Sequence, residues 1–212
     1  MEEKTSSGAP VCRRCGRCCE SGGPALHRAD LPLVEAGVIQ RRDLVTLRSG
    51  EVVHENVVGG LTTLASEMVK LAGRAAGFSC RFHDVSAKAC GIHDSRPVEC
   101  RALFCEDTSV LESLYRENRA TRADMIAPGG GLWELVEFHE RTWPAAMAVS
   151  LARKAARGDV AARESLAGLA SAEAAFREAF RQRAGLADEE LDYYFGRSLQ
   201  RICAPFGNRV SG

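Results

Sequence analysis

Apolar residues in the second half of the chain recur at three- and four-residue intervals. Leu132, Leu135, Val136, His139, Trp143, Met147 and Leu151 mark one such stripe, and Val110–Ile126 carries another. This is the spacing of amphipathic helices. Pro128 and the glycines 129–131 separate the two, and Pro144 kinks or restarts the second. The Ala-rich stretch Val160–Arg183 predicts a third helix after a break at Gly158. Asp188 then stands where it caps a last helix, with a face of Leu191, Tyr194, Phe195, Leu199 and Ile202.

Before residue 109 the pattern changes. Residues 1–11 are small and polar and read as a tail. A short helix is expected over Asp30–Gly37, with Asp30 as its cap and Gly37 as its stop. Leu44–Leu47 and Glu51–Val53 flank Arg48-Ser49-Gly50 and read as a β-hairpin. Glu67–Leu71 suits helix or strand equally. From Phe78 to Cys105 the apolar residues come singly, which leaves little surface to hold the segment together. Metal bonds would compensate, because metal-binding free energy becomes folding free energy. The fold expected is mostly α, with an irregular, metal-stapled, cysteine-rich N-terminal half that includes a short β-hairpin, and a helical C-terminal half. Its expected divisions are a tail over 1–11, a cysteine-cluster metal-binding domain over 12–108, and an α-helical region over 109–212 packed on it.

The cysteines supply the candidate chemistry. Cys12, Cys15, Cys18 and Cys19 form C-x2-C-x2-C-C, and Cys80, Cys90, Cys100 and Cys105 form a second cluster. Thiols this dense repel one another once ionised, so a metal, an inorganic cluster or disulfides must neutralise them. The N-terminus carries no signal-type apolar segment, and no window approaches a membrane span. A cytoplasmic, reducing setting is therefore expected, where such patterns bind metal more often than they form disulfides. Arg13, Arg14 and Arg17 are expected to lower the thiol pKa values of Cys12, Cys15 and Cys18. Adjacent Cys18 and Cys19 point in different directions, so one is expected to turn elsewhere than a shared ion. Cys80-x2-His83 and Cys90-x2-His93 repeat a spacing that also suits imidazole ligation. Each cluster falls short of a closed tetrahedral site, so the two are expected to meet in space.

Charge adds an exclusion. The 28 basic and 28 acidic residues balance, which gives no indication of nucleic-acid binding or of attraction to an anionic membrane. No dinucleotide, phosphate-loop, Ser-His-Asp or metalloprotease spacing occurs. No catalytic residue is assigned, and whether the chain is an enzyme stays open at this point.

The run Cys12-Arg-Arg-Cys15-Gly-Arg-Cys18-Cys19, with Cys80-Arg-Phe, Cys90-Gly-Ile-His-Asp-Ser-Arg-Pro97 and Cys100-Arg following in order, resembles the YkgJ-type cysteine-cluster proteins. These are the CxxCxxCC zinc- or iron-chelating domains, and the likeness covers roughly residues 10–106. The resemblance implies metal ligation by Cys12, Cys15, Cys18, Cys19, Cys80, Cys90 and Cys100. Cys105 is shared by some relatives, and tyrosine is common where His93 stands. Cys203 lies outside the pattern and is expected to be a buried or free thiol. Zinc or iron is the implied cofactor, and an iron–sulfur cluster competes, since the C-x2-C-x2-C opening equals the first three positions of the bacterial ferredoxin run without its usual fourth Cys-Pro. A flagellin lysine methylase shares the cysteine run, so a redox or enzyme-accessory role stands beside simple chelation. A third reading makes the metal a structural staple and gives the C-terminal helices a protein partner.

Overall fold

The computed structural model describes residues 15–55, 57, 59–74 and 78–207, of which about half are helical. Cys12, Arg13, Arg14 and the tail expected over residues 1–11 lie outside the described residues. Helices α1 (Arg17–Glu20) and α2 (Leu31–Glu35) come first. Strands β1 (Leu44–Leu47), β2 (Val52–His54), β3 (Leu61–Thr63), β4 (Met68–Leu71), β5 (His83–Asp84) and β6 (Ala89–Cys90) follow. The remaining helices are α3 (Val98–Ala102), α4 (Ser109–Leu114), α5 (Gly131–Thr142), α6 (Ala145–Ala156), α7 (Val160–Ala184), α8 (Asp188–Phe195) and α9 (Leu199–Cys203).

The expected hairpin between Leu44–Leu47 and Glu51–Val53 does not form. Its turn exists, with Glu51 N donating to Arg48 O at 3.1 Å, but the strands part company beyond it. β1 pairs antiparallel with β4, Leu44 opposite Leu71, and β2 pairs with β3, Val52 opposite Thr63. Burial decides the partners. Leu44, Val45 and Thr46 are all buried, which demands cover on both faces. α8 covers one of them, where Thr46 Oγ1 donates to Tyr193 O at 2.7 Å. Leu26, Leu44, Val69 and Leu71 thereby join Val136, Leu191, Tyr194 and Phe195 in one core.

Asp30 occupies the N-cap position of α2, but its carboxylate serves other donors. Oδ2 accepts from His27 N at 2.9 Å and Oδ1 from Val98 N at 2.8 Å. The helix expected over Val110–Ile126 ends at Leu114. Asn118 takes φ 50°, and Ala120 N then donates to Leu26 O while Val69 N donates to Ala120 O. Extended pairing with Leu26 and Val69 overrides the helical periodicity there.

The later helices follow the pattern more closely. The long stripe breaks at Trp143-Pro144 into α5 and α6. Asp159 caps α7 through its Oδ1, which accepts from Ala162 N at 2.9 Å. The last expected helix is divided by Gly196 at φ 70°, where a Cβ would lie 2.5 Å from Arg48 Cδ. Asp188 is the first residue of α8, with Ala187 in the cap position. Ala145, Ala148, Ala152 and Ala170 let α6 and α7 approach closely over Leu166, Leu199, Ile202 and fully buried Cys203.

Buried arginines join the halves. Arg122 binds Glu67, Glu140 at 2.7 Å and Tyr194 O at 2.6 Å. Arg48 binds Glu140 at 2.9 Å and Trp143 O. Among the described residues no helix is long and apolar enough to cross a membrane.

Candidate metal centre

The two cysteine clusters meet. Gly16 enters α1 at φ 80°, and α1 presents Cys18 and Cys19, whose sulfurs lie 4.0 Å apart. Cys80 N donates to Cys19 O at 2.6 Å, which docks the second cluster on the first. From Cys80 the chain turns at once, His83 N donating to Cys80 O at 2.9 Å. It then forms the β5–β6 hairpin, with His83 opposite Cys90. Asp84 shapes that hairpin's turn by accepting from Ser86 N and Ala87 N, both at 2.9 Å.

Cys100 arrives on α3, and that helix is fixed from two sides. Asp30 takes the free N–H of Val98. Glu99 Oε2 accepts from Ala25 N at 2.8 Å, and Glu99 Oε1 lies 3.2 Å from His27 Nε2. Arg101 donates to Arg96 O, closing the Arg96-Pro97 corner. Cys105 follows in an exposed turn between Phe104 and Asp107.

These thiols border a cavity of about 570 Å³. Cys18, Cys19, Cys80, Cys90, Cys100 and Cys105 line it; Leu47, Leu64, Met68 and Leu111 supply apolar surface, and Lys70 and Tyr115 polar groups. Cys15 is exposed and stands outside that lining. Among the described residues the cysteines are free thiols. No group of three or more His, Cys, Asp or Glu side chains among them is arranged to close on an ion.

Burial pushes the Cys19 thiol up to about 12, with further upward pressure from Cys18, Cys80 and Cys90. Cys100 is raised by burial and then by Cys80, Cys19, Cys18 and Cys90. Cys80 is raised by burial, against a lowering hydrogen bond from the Phe82 backbone. The lowering expected from Arg13, Arg14 and Arg17 concerned Cys12, Cys15 and Cys18; Cys19 beside them is raised by burial and by neighbouring thiols. Groups that resist ionising together are relieved by a shared cation, so the donor chemistry fits a thiophilic metal.

Of the histidines, His83 is 1 % exposed, with Nδ1 3.0 Å from Ser79 Oγ and Nε2 sealed from solvent without a partner. His93 lies at the side, its Nδ1 3.3 Å from exposed Asp94 and its Nε2 also unpartnered. His139 belongs to the helical half and bonds Glu173 at 3.2 Å.

Sequence reasoning missed Lys70, Glu99 and Ser79. Lys70 had one legible signal, a lone cation inside the apolar strand Met68–Leu71. Burial pulls its ammonium below the usual lysine range, with Glu99 opposing.

A family model described as a "putative zinc- or iron-chelating domain", CxxCxxCC, matches residues 11–119. The chain belongs to the CxxCxxCC family. The match takes in both cysteine clusters, β1–β6, α3 and α4, and ends before α5. No curated protein and no solved structure matches this chain.

Proposed function

We propose that this chain chelates zinc or iron through thiolates drawn from both clusters: Cys18 and Cys19 from the first, and Cys80, Cys90 and Cys100 from the second. Cys12, Cys15 and Cys105 are accessory candidates. The observation that carries the reading is the docking of Cys80 on Cys19, which brings separated thiols to one cavity. The Cys18–Cys19 sulfur separation of 4.0 Å supports it further. Tetrahedral thiolates at about 2.3 Å from zinc stand about 3.8 Å apart. Adjacent cysteines here are compatible with one ion, against the expectation that they diverge.

The metal, when bound, supplies positive charge to thiols that burial otherwise keeps protonated. Asp30 and Glu99 hold α3 and its Cys100 in place, and the Cys19–Cys80 backbone bond sets the distance between clusters. A reducing cytoplasm is the setting in which these thiols stay available.

A second reading is an iron–sulfur centre in a redox or protein-modifying accessory. Six cysteines border the cavity, more than the four places around one zinc. Anaerobic purification, elemental analysis and a visible spectrum test both. Stoichiometric metal is expected; thiolate-bound iron colours the protein and zinc does not. Less than about 0.1 metal per chain would overturn the chelation reading.

A further inference from the structure

The ribbon of β1 and β4 has two faces. Thr46 and its partner Val69 turn toward α8 and the core, so strand alternation sets Met68 and Lys70 on the other face. That face borders the cavity, where Met68 and Lys70 are joined by Leu47. At about 570 Å³ the cavity is far larger than one ion requires. Small-molecule sites measure about 300–1,000 Å³ and combine apolar walls with a few placed polar groups.

Two cations line this cavity without a counter-charge. Arg119 Nε is sealed from solvent and has no partner, and the guanidinium lies 5.4 Å from the centroid of the Tyr115 ring. Lys70 is its neighbour through the backbone: Ala25 bridges to Lys70, His27 bridges to Arg119, and Val69 N donates to Ala120 O at 3.0 Å. Among the described residues neither cation is in an ion pair. The carboxylates that line the cavity are engaged elsewhere, Glu99 by Ala25 N and His27, Glu55 by Val57 N, and Glu112 by Thr108 Oγ1. Burial holds the Lys70 ammonium low and the Arg119 charge adds to that; an anion beside both relieves them.

We propose that the cavity binds a small organic anion with an apolar body, its head at Lys70 and Arg119 and its body against Leu47, Leu64, Met68 and Leu111. The inference rests on the chelation reading only for what occupies the thiols of the same cavity. The lysine ammonium and the arginine guanidinium donate N–H groups and accept none, so the head must be an acceptor, and a carboxylate or phosphate makes the stronger, charge-assisted bonds. The apolar lining selects a hydrocarbon body over a fully polar metabolite.

The test titrates octanoate and octyl phosphate into the full, anaerobically purified chain by calorimetry, with octanol as the uncharged control and metal content measured alongside. At least one anion should bind at least about tenfold more tightly than octanol, and the tighter of the two identifies the head group. Lys70→Met and Arg119→Met should each weaken that anion at least about tenfold at unchanged metal content. Leu64→Trp, which fills the cavity and keeps both charges, should weaken it as well. Wild type that binds neither anion, or binds octanol as tightly, overturns the inference with no variant involved. Loss of metal in Lys70→Met assigns the ammonium to the thiolates and overturns it too. Anion binding by a chain that holds no zinc or iron supports this site and overturns the chelation reading alone.

Discussion

The cysteine region, residues 15–107, and the helical region, residues 131–203, bury histidines in opposite ways. His139 lies among Phe195, Trp143 and Phe176, with ring centroids 4.8–5.6 Å away. Its Nε2 meets Glu173, which also binds Arg177 and Leu199 N. His83 is as deeply buried, yet its Nε2 ends at a glycine turn beside thiols. The helical region answers its polar groups largely from within and seals itself with alanine seams. The cysteine region has elements of two to five residues and brings separated thiols together. His139 Nδ1 is also buried without a partner, so the difference lies in the thiols that the cysteine region brings to one cavity.

Metal removal should separate the two most strongly. In hydrogen exchange of the anaerobic protein, chelation is expected to speed exchange across residues 15–107 by more than about tenfold, while α6, α7 and α9 change little. Uniform loss of protection would erase the distinction.

Cys203 sharpens the comparison from the other side. Expected to be a buried or free thiol, it is fully buried between α6, α7 and α9. Cys203→Ser should cost about 1–3 kcal/mol by burying a hydroxyl there, with metal content unchanged. Urea unfolding and elemental analysis of the same sample check both halves of that statement.

Acid should weaken the helical region for a different reason. Burial holds the His139 imidazole below its ordinary range, with Glu173 opposing. Burial also pushes Glu173 up, but bonds from His139 and Arg177 outweigh it and keep that carboxyl low. The unfolded chain takes up a proton at histidine near pH 6.5 and the folded chain does not. Stability from this pair is therefore present above about pH 6.5 and lost as pH falls below it. Helix unfolding followed by circular dichroism from pH 7.5 to 5.5 should show the decline, and His139→Phe should flatten it.

The smallest effect expected is at a helix end. Asp159→Ala removes the cap on Ala162 N and should lower stability by about 1 kcal/mol without touching metal binding. A change in metal affinity would show the regions to be coupled more tightly than their packing indicates.

What the chain disclosed in advance follows the range of each signal. Helix periodicity is local, and α5, α6 and α7 were legible together with their breaks at Pro144 and Gly158. The cysteine spacing is local too, and it marked both clusters and their need of each other. Strand partners were not legible. Leu44–Leu47 reaches past its neighbour to Met68–Leu71 because burial on both faces chooses the partner, and that is a property of the assembled core. Arg48 reads as a turn residue, yet it is completely buried and ties β1 to α5 through Glu140. Gly16, Ser79 and Lys70 gain meaning from what folds against them, which spacing does not carry. The raised Cys19, Cys80 and Cys100 thiols were not legible because burial is not visible in sequence.

The central claim is that thiols from the two clusters share one metal centre. Its most direct test is the metal content of anaerobically prepared Cys18→Ser and Cys100→Ser, one substitution in each cluster, with Cys203→Ser as control. Shared ligation predicts that both variants lose the same metal, each to below about a tenth of the wild-type content, while the control keeps it. Full metal content in Cys100→Ser beside its loss in Cys18→Ser would contradict a shared centre.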